Sequence, residues 1–503
     1  MKHLYRLLLG TSLLTPPALA QTTSPTQPPA GTLPATAGGG WTLQRAIDYA
    51  LQNNLNVRLT QFSADVNEAN LRQSRAALLP NANVNGSQSW NFGTSTDPLT
   101  NEFITQTIRS NNFSVSSQVT LFSGFQLRNT IKQNVLNVEA GRNDVDKARN
   151  DLALNVASQY LQLVLAEELV RANQLRVNSA EQQVERARKL LRAGSVAESN
   201  LLDAQAQQAS DQTNVITAEN QRDIARLQLI QLLNLSGAEA TAFQIDVPAL
   251  PDPDDEAELS LDLNETYQTA ESLLPEVKAA DQRVRASSFG VDVARGAYYP
   301  RLTFGAGLFT GYSSARSSFI PTGEVDFSYA PVFIYNPATP TTPPVPTQYV
   351  TGVAQPRFDV KPTAFSNQIK DNFGKQLQFN LSVPILNGLQ ARTNLQRAQI
   401  GVQQAQARAD QTRLTLRQNI QQAYADARAA QRRYVAAKRQ VDALTTAYRN
   451  AEIRFNNGLL NGTEFNISKN NLTAAESSMI QAKYEFIFRR KVLDFYQGRP
   501  ISL

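Results

Sequence analysis

The sequence predicts an α+β chain made of two copies of one unit, each with a β-hairpin and very long coiled-coil helices. Three observations carry this expectation. The chain matches itself at constant offsets, two stretches of 69 residues lack proline and hold one glycine each, and four segments alternate polar and apolar residues with period two.

The repeat comes first because it organises the rest. Leu43, Ala50, Val57, Arg75 and Pro80 match Leu263, Ala270, Val277, Arg295 and Pro300 at an offset of 220 residues, and Gly124, Arg128 and Gly194 match Gly388, Arg392 and Gly458 at an offset of 264. A fixed period of this kind marks a repeated architecture. The change of offset places one insertion between Pro300 and Gly388, where the Pro- and Thr-rich stretch 331–346 lies. The first unit spans 41–235, with a helix, a hairpin at 81–122, a long helix at 125–193 and a return helix at 198–234. The second spans 261–503, with a helix, a hairpin at 301–386 carrying the longer loop, a long helix at 389–457 and a return helix at 463–497. Residues 236–260, with Pro248, Pro251, Pro253 and an acidic cluster from Asp252 to Glu256, connect the two.

Ahead of the repeats, a basic start (Lys2, Arg6), a short apolar run from Leu7 to Leu14 and the A-x-A site Ala18-Leu19-Ala20 read as a secretory signal over 1–20. Pro16-Pro17 cuts the run well short of the about 20 residues that span a bilayer. Gln21 in place of cysteine rules out a lipidated N-terminus, and the Pro-, Thr- and Gly-rich residues 21–40 read as a disordered leader.

Composition narrows the chemistry. The 48 basic and 43 acidic residues become a net +3 once Lys2 and Arg6 leave with the signal, too little for a nucleic-acid footprint. Cleavage also removes His3, the only histidine, and the chain has no cysteine. Imidazole and thiolate catalysis and ordinary zinc sites are excluded. No nucleophile elbow, Walker loop or dinucleotide fingerprint is present, so neither a catalytic residue nor a cofactor or metal is expected.

Phe125 to Ala193 and Leu389 to Asn457 each predict a helix of roughly 100 Å at about 1.5 Å per residue. Helices so long pack side by side rather than around a compact core. In the second repeat Ile420, Ala423, Ala427, Ala430, Tyr434, Ala437, Val441, Leu444, Tyr448, Ala451 and Phe455 follow a strict 3,4 alternation, a coiled-coil seam. At an offset of 264 the first repeat keeps this register from Val156 to Leu191, with two polar breaks at Gln159 and Asn173.

The strands alternate cleanly. Asn81 to Phe92 place Asn or Ser at every odd position, against Ala82, Val84, Gly86, Trp90 and Phe92, with Gln88 the exception. Phe113, Val115, Val119 and Leu121 form one face of the second strand, Leu302, Phe304, Ala306 and Leu308 of the third, and Leu377, Phe379, Leu381, Val383 and Ile385 of the fourth. This fits a barrel strand facing lipid and a wet lumen, or a half-buried soluble sheet. If it spans a membrane, every backbone group must be paired and the sheet must close. Barrels need about eight strands or more, so four strands per chain demand more than one chain.

These residues resemble the TolC-like outer-membrane efflux proteins from Trp41 to Gly498. Leu43, Ala46, Ala50, Leu51 and Asn54 are similar to that family's opening-helix pattern. Leu79-Pro80 and Tyr299-Pro300 resemble its helix-to-strand junctions, and Leu121 to Gly124 and Ile385 to Gly388 its strand-to-helix junctions. The resemblance implies a homotrimer with a shared 12-stranded barrel in the cell outer membrane and a helical tunnel in the periplasm. It implies a non-enzymatic exit duct of a tripartite export system, partnered by a periplasmic adaptor and an inner-membrane pump and passing small molecules or secreted proteins. It places Gly194, Ser199, Gly458, Leu459 and Thr463 at the adaptor-contact tips.

The family's acidic ring lies six and nine residues beyond the second tip glycine. Those positions are Glu464 and Ile467, and their first-repeat equivalents are Asn200 and Asp203, so Glu464 and Asp203 are the candidate aperture carboxylates. Asn461 and Glu464 also have the spacing of a helix-capping box. Two rival functions remain at this stage: a periplasmic coiled-coil adaptor, which would not carry two alternating hairpins, and a carboxylate-based enzyme, for which no motif speaks.

Overall fold

The computed structural model describes residues 40–96, 103–246, 262–331 and 350–499. The signal, nearly all of the leader, the acidic cluster of the connection and most of the Pro- and Thr-rich stretch lie outside the described residues.

Each repeat opens with two helices, not the single helix expected. Helix α1 (Leu43–Asn53) starts at Thr42, whose hydroxyl accepts from the Arg45 N–H at 3.3 Å. It breaks at Asn54, which is extended. Asn54 Oδ1 accepts from the N–H groups of Asn56 and Val57 and so caps α2 (Leu55–Ala76), while its Nδ2 donates to Leu232 O at 3.2 Å. A short polar side chain that offers the backbone a better partner than the helix ladder is the cause of the break. Strands β1 (Asn81–Thr96) and β2 (Phe103–Ser123) follow, then α3 (Gln126–Arg192), α4 (Glu198–Leu233) and the short α5 (Gly237–Thr241).

The second repeat comprises α6 (Leu263–Leu273), α7 (Pro275–Gly296), β3 (Arg301–Ser313), β4 (Ser317–Pro331), β5 (Val350–Pro362), α8 (Phe365–Asp371), β6 (Gly374–Ser382), α9 (Gln390–Asn456) and α10 (Gly462–Tyr496). Proline at the first position of α7 does the work of Asn54, because it fixes the helical φ and removes an N–H that has no partner there. The long helices α3 and α9 contain 67 residues each. Both start with two consecutive left-handed residues, Gly124-Phe125 and Gly388-Leu389, which turn the chain from strand to helix at matching places in the two repeats.

The sheet has the order β1-β2-β3-β6, antiparallel throughout. The two hairpins share one register: Asn81 opposite Gln118 in the first becomes Arg301 opposite Ser382 in the second, at the offsets of 220 and 264. Two details depart from strict alternation. A bulge between Thr120 and Phe122 leaves Leu121 without a β3 partner, and Phe122 takes the apolar position opposite Leu302. Strand β6 stops at Ser382, before Val383 and Ile385, because Pro384 has no N–H for the ladder; Thr120 holds the equivalent place in β2, which runs on to Ser123. The longer loop is itself partly structured, since β4 and β5 pair as a separate ribbon with Phe319 opposite Val360 and an irregularity between Pro321 and Val325.

Strand β3 is longer than β6, and α8 covers its surplus edge. Gln368, fully buried, accepts from Ser313 N at 2.9 Å and donates back to Ser313 O at 2.9 Å, as a paired strand would. Asn372 donates to Gly311 O at 2.6 Å and Ile369 O accepts from the Thr310 hydroxyl at 2.6 Å.

Among the helices, α2 packs on α3, α3 on α7 and α7 on α9, while α4 returns along α3 and α10 along α9. All eleven seam positions from Ile420 to Phe455 are buried or half-buried. Ala423, Ala427, Ala430 and Tyr434 face Ala482, Phe486 and Leu493 of α10. The first-repeat stripe is covered in the same way, but Gln159 carries a buried Oε1 with no partner. The largest core lies where α1, α3 and α4 meet, around Tyr160, Leu229, Leu233 and Phe243. There the Tyr160 hydroxyl donates to Trp41 O at 3.0 Å and lies 2.5 Å from Asp246 O. Burial, with the Asp246 charge, pushes its pKa up to about 12.

Candidate functional site

The candidate site is extended: a sheet that could form a membrane wall, and the far ends of the helical hairpins. In the sheet the apolar faces align across strands. Val84 lies opposite Val115, Val115 opposite Leu308, and Phe304 opposite Phe379 with ring centroids 4.8 Å apart. On β1 the alternation covers the 11 residues Ala82 to Phe92, about the length of one spanning strand. Val84, Phe92, Leu377, Phe379 and Leu381 are exposed on this face, and Asn83, Asn85, Gln376 and Asn380 are exposed on the other. Within one chain both faces of β1 and β6 are exposed, and β3 between them is half-buried, with Thr303 buried. No described helix is long and apolar enough to cross a membrane, so strands are the elements suited to that task.

At the other end, α3 closes at Gly194 and α9 at Gly458, with φ of 69° and 72°. Each glycine N–H donates three residues back, to Leu191 O and Phe455 O, and the next residue donates five back, to Leu190 O and Arg454 O. This capping pattern requires a left-handed residue, and glycine adopts it without strain. The pattern uses the backbone N–H of Leu459, while the Leu459 side chain is 70% exposed. Ser199 and Thr463 are exposed beside the tips.

Glu464 and Asp203 are both exposed, on the tip side of a Gln207 to Asn470 hydrogen bond of 3.2 Å that ties α4 to α10. Asn461 Oδ1 accepts from Glu464 N at 2.8 Å, so the cap forms through the Glu464 backbone. Among the described residues no bond returns from the Glu464 carboxylate to Asn461 N, so the reciprocal half of the capping box is missing and the carboxylate is left to solvent.

One cluster escaped the sequence reading. Asp211 on α4 and Lys469 on α10 are 4% and 7% exposed, 3.8 Å apart, and Asp211 Oδ2 and Lys469 Nζ lack hydrogen bonds. Burial lowers the Lys469 pKa, opposed by Asp211 and assisted by Arg176 on α3. Arg176 Nη2 donates to Thr473 O at 2.7 Å and Ser477 Oγ at 3.0 Å, and its Nη1 donates to Asn173 Oδ1 at 2.9 Å. The polar seam break at Asn173 therefore belongs to this cluster. The signal in the sequence was that Asp211 and Lys469 sit on the 3,4 stripes of their helices, with Val215 and Ala218 on one and Phe465 on the other.

Nothing in this arrangement resembles a catalytic centre, and among the described residues no group of three or more His, Asp or Glu could hold a metal ion. Comparison with known proteins agrees with a channel. No curated protein sequence matches the chain. Among solved structures, that of CusC, described by its transmembrane channel formation, has a TM-score of 0.71 at 17% identity, covering 92% of this chain and 95% of that one. The outer membrane channel CmeC of Campylobacter jejuni gives 0.67 at 17% identity over 92% and 87%, respectively. The outer membrane protein VceC of Vibrio cholerae gives 0.68 at 14% identity over 92% and 97%. At these identities the likeness establishes the fold alone, and it gives no support to the adaptor alternative. The outer membrane efflux protein profile matches residues 46–235 and 266–498, both repeats and nearly all of the described chain, and the chain belongs to that family.

Proposed function

We propose that three copies of this chain form the exit duct of a tripartite export system, a passive conduit across the outer membrane and into the periplasm. The observation that supports this is the four-stranded sheet, whose strands β1 and β6 are exposed on both faces and, among the described residues, unpaired along their outer edges. Each unpaired backbone group in hydrocarbon costs several kcal/mol, so the edges must meet other strands. Three copies supply twelve strands, and each repeat becomes one sixth of the wall. Below the membrane the helices continue that wall as a tunnel. The tips at Gly194, Ser199, Gly458, Leu459 and Thr463 meet the periplasmic adaptor, which couples the duct to an inner-membrane pump. Glu464, with Asp203, lines the aperture as symmetry-related carboxylates. Specificity for small molecules or proteins resides in the pump, and the duct catalyses nothing.

Fractionation and native mass measurement test the proposal. The protein should sediment with outer membranes, resist mild extraction and weigh three copies in detergent. A stable, water-soluble monomer refutes it.

A further inference from the structure

We infer that a cleft between α3, α7 and α9 binds small organic carboxylates, with Arg408 and Arg283 on the carboxylate and an alanine floor under the carbon skeleton. The cleft has a volume of about 460 Å³, within the usual range of small-molecule sites. One chain builds all of it, so the binding does not depend on the trimer. Which way the cleft opens does rest on the duct reading.

The floor is Ala280 and Ala286 of α7 with Ala405 and Ala409 of α9, all buried or half-buried. The rim is polar: Gln133 and Asn137 from α3, Arg283 and Ser287 from α7, Gln404 and Arg408 from α9. Two guanidinium groups line the cleft and no carboxylate does. Arg283 gives one arm to Asp144 of α3. The repeat offset of 264 carries Asp144 onto Arg408, so the place that neutralises an arginine in the first repeat holds another arginine in the second. One positive charge is left over, which matches a monocarboxylate. Among the described residues the side chains of Arg408, Gln133, Gln404 and Ser287 make no hydrogen bond or ion pair, so their donors are uncommitted. A free guanidinium fork suits a carboxylate, which accepts two parallel bonds from it.

Gly401 is an independent sign of a space kept open. It lies inside α9, where glycine weakens a helix, yet a Cβ built there would meet nothing within 4 Å. Close packing within the chain therefore does not require it. Gly401 lines the cleft, and its first-repeat equivalent, Asn137, reaches the same cleft from α3. A large side chain at 401 would fill the space that the ligand needs.

The side of the wall on which the cleft opens follows from α6. Arg417 stands nine residues, or two and a half turns, beyond Arg408 and so on the opposite side of α9. Its guanidinium lies over the Tyr267 ring of α6 at 4.7 Å. Helix α6 thus covers one side of the wall and the cleft opens on the other. A layer of short helices inside a duct would obstruct it, so on the duct reading α6 lies outside and the cleft faces the lumen.

Ligand-observed fluorine NMR on the full-length protein in detergent tests the site. Para-fluorobenzoate should bind once per chain, and the uncharged para-fluorobenzamide should not. R408Q should weaken binding at least about tenfold, the worth of one charge-assisted hydrogen bond, and G401L should abolish it. Arg408 is exposed and unpaired, so R408Q keeps the test open should G401L fail to assemble. R397Q removes an exposed arginine three turns earlier on the same side of α9 and outside the cleft, and should bind as the wild type does. No binding, equal binding of the amide, unchanged affinity in R408Q or an equal loss in R397Q overturns the site. Because the chain has no natural cysteine, R408C can be modified alone with a maleimide-linked polyethylene glycol. That should lower single-channel conductance in planar bilayers, and modification of Q268C, exposed on α6, should not. Unchanged conductance with R408C overturns the lumenal position alone, and a monomer that binds fluorobenzoate overturns the duct reading while the cleft stands.

Discussion

Replacing Lys469 by methionine should be among the most damaging single changes to the helical region. It leaves the Asp211 carboxylate 4% exposed, with Oδ2 unbonded and only Oδ1 held, by Gln207 Nε2 at 3.0 Å. Arg176 attracts Asp211 only at longer range, because its ion-pair partner is Glu476 at 3.8 Å and its donors are committed to Asn173, Thr473 and Ser477. Breaking a buried pair by removing one partner costs about 3 to 5 kcal/mol, whereas replacing both by apolar residues of similar volume is neutral or stabilising by about 1 to 4 kcal/mol. D211L and K469M should therefore each be destabilised by several kcal/mol while D211L/K469M recovers at least wild-type stability. The coupling should be at least about 3 kcal/mol, read from urea midpoints of helicity in detergent. The pH dependence has a defined sign. Lys469 titrates below its ordinary 10.5 when folded, so the unfolded chain holds the extra proton in the alkaline window beneath that value, and wild-type stability rises with pH there. K469M should lack that rise. If the double variant loses the sum of the two single losses, the pair does not act as described.

Three further outcomes are expected. L459D should leave the trimer intact and abolish export, measured as substrate accumulation in cells; normal export would remove Leu459 from the adaptor contact. E464Q should weaken cation selectivity and multivalent-cation block in planar bilayers, and unchanged conductance would leave Glu464 as a helix-start residue only. Y160F abandons the carbonyls of Trp41 and Asp246 and should cost about 1 to 3 kcal/mol. Because the folded phenol titrates at about 12 against an ordinary 10.0, wild-type stability should fall as pH rises through that interval. Y160F should show a smaller fall, and an equal one would mean that Tyr160 is not the group responsible.

The parts legible in the sequence are those governed by period. The seam from Ile420 to Phe455 and the alternation from Asn81 to Phe92 depend on which face is covered, and spacing reports that directly. The tip glycines were legible because a left-handed cap nearly requires glycine. The breaks at Asn54 and Leu274 were missed because the helical stripe continues across them, and only the local chemistry of an asparagine cap or a proline at the first turn reveals the stop. The bulge at Leu121 keeps an apolar residue in place while shifting the ladder, which alternation does not register. Strands β4 and β5 were hidden by Pro321, Gly323 and Pro356, which read as loop. The Lys469 to Asp211 contact joins two helices 258 positions apart in the chain, and no local signal pairs them.

Gln368 has a consequence for how the outer end of this molecule can be remade. Its amide binds Ser313 on one side of the β4–β5 ribbon and, through a 2.9 Å bond from Nε2 to Thr363 O, the residue just beyond the other. The Thr363 N–H also donates to Arg316 O at 3.0 Å, so the base of the ribbon is tied both by this amide and by its own backbone. Each doubling of a loop closed in this way costs only about 0.6 kcal/mol. Lengthening the connection from β4 to β5, for instance with a foreign epitope or affinity tag, should therefore cost the four-stranded sheet little.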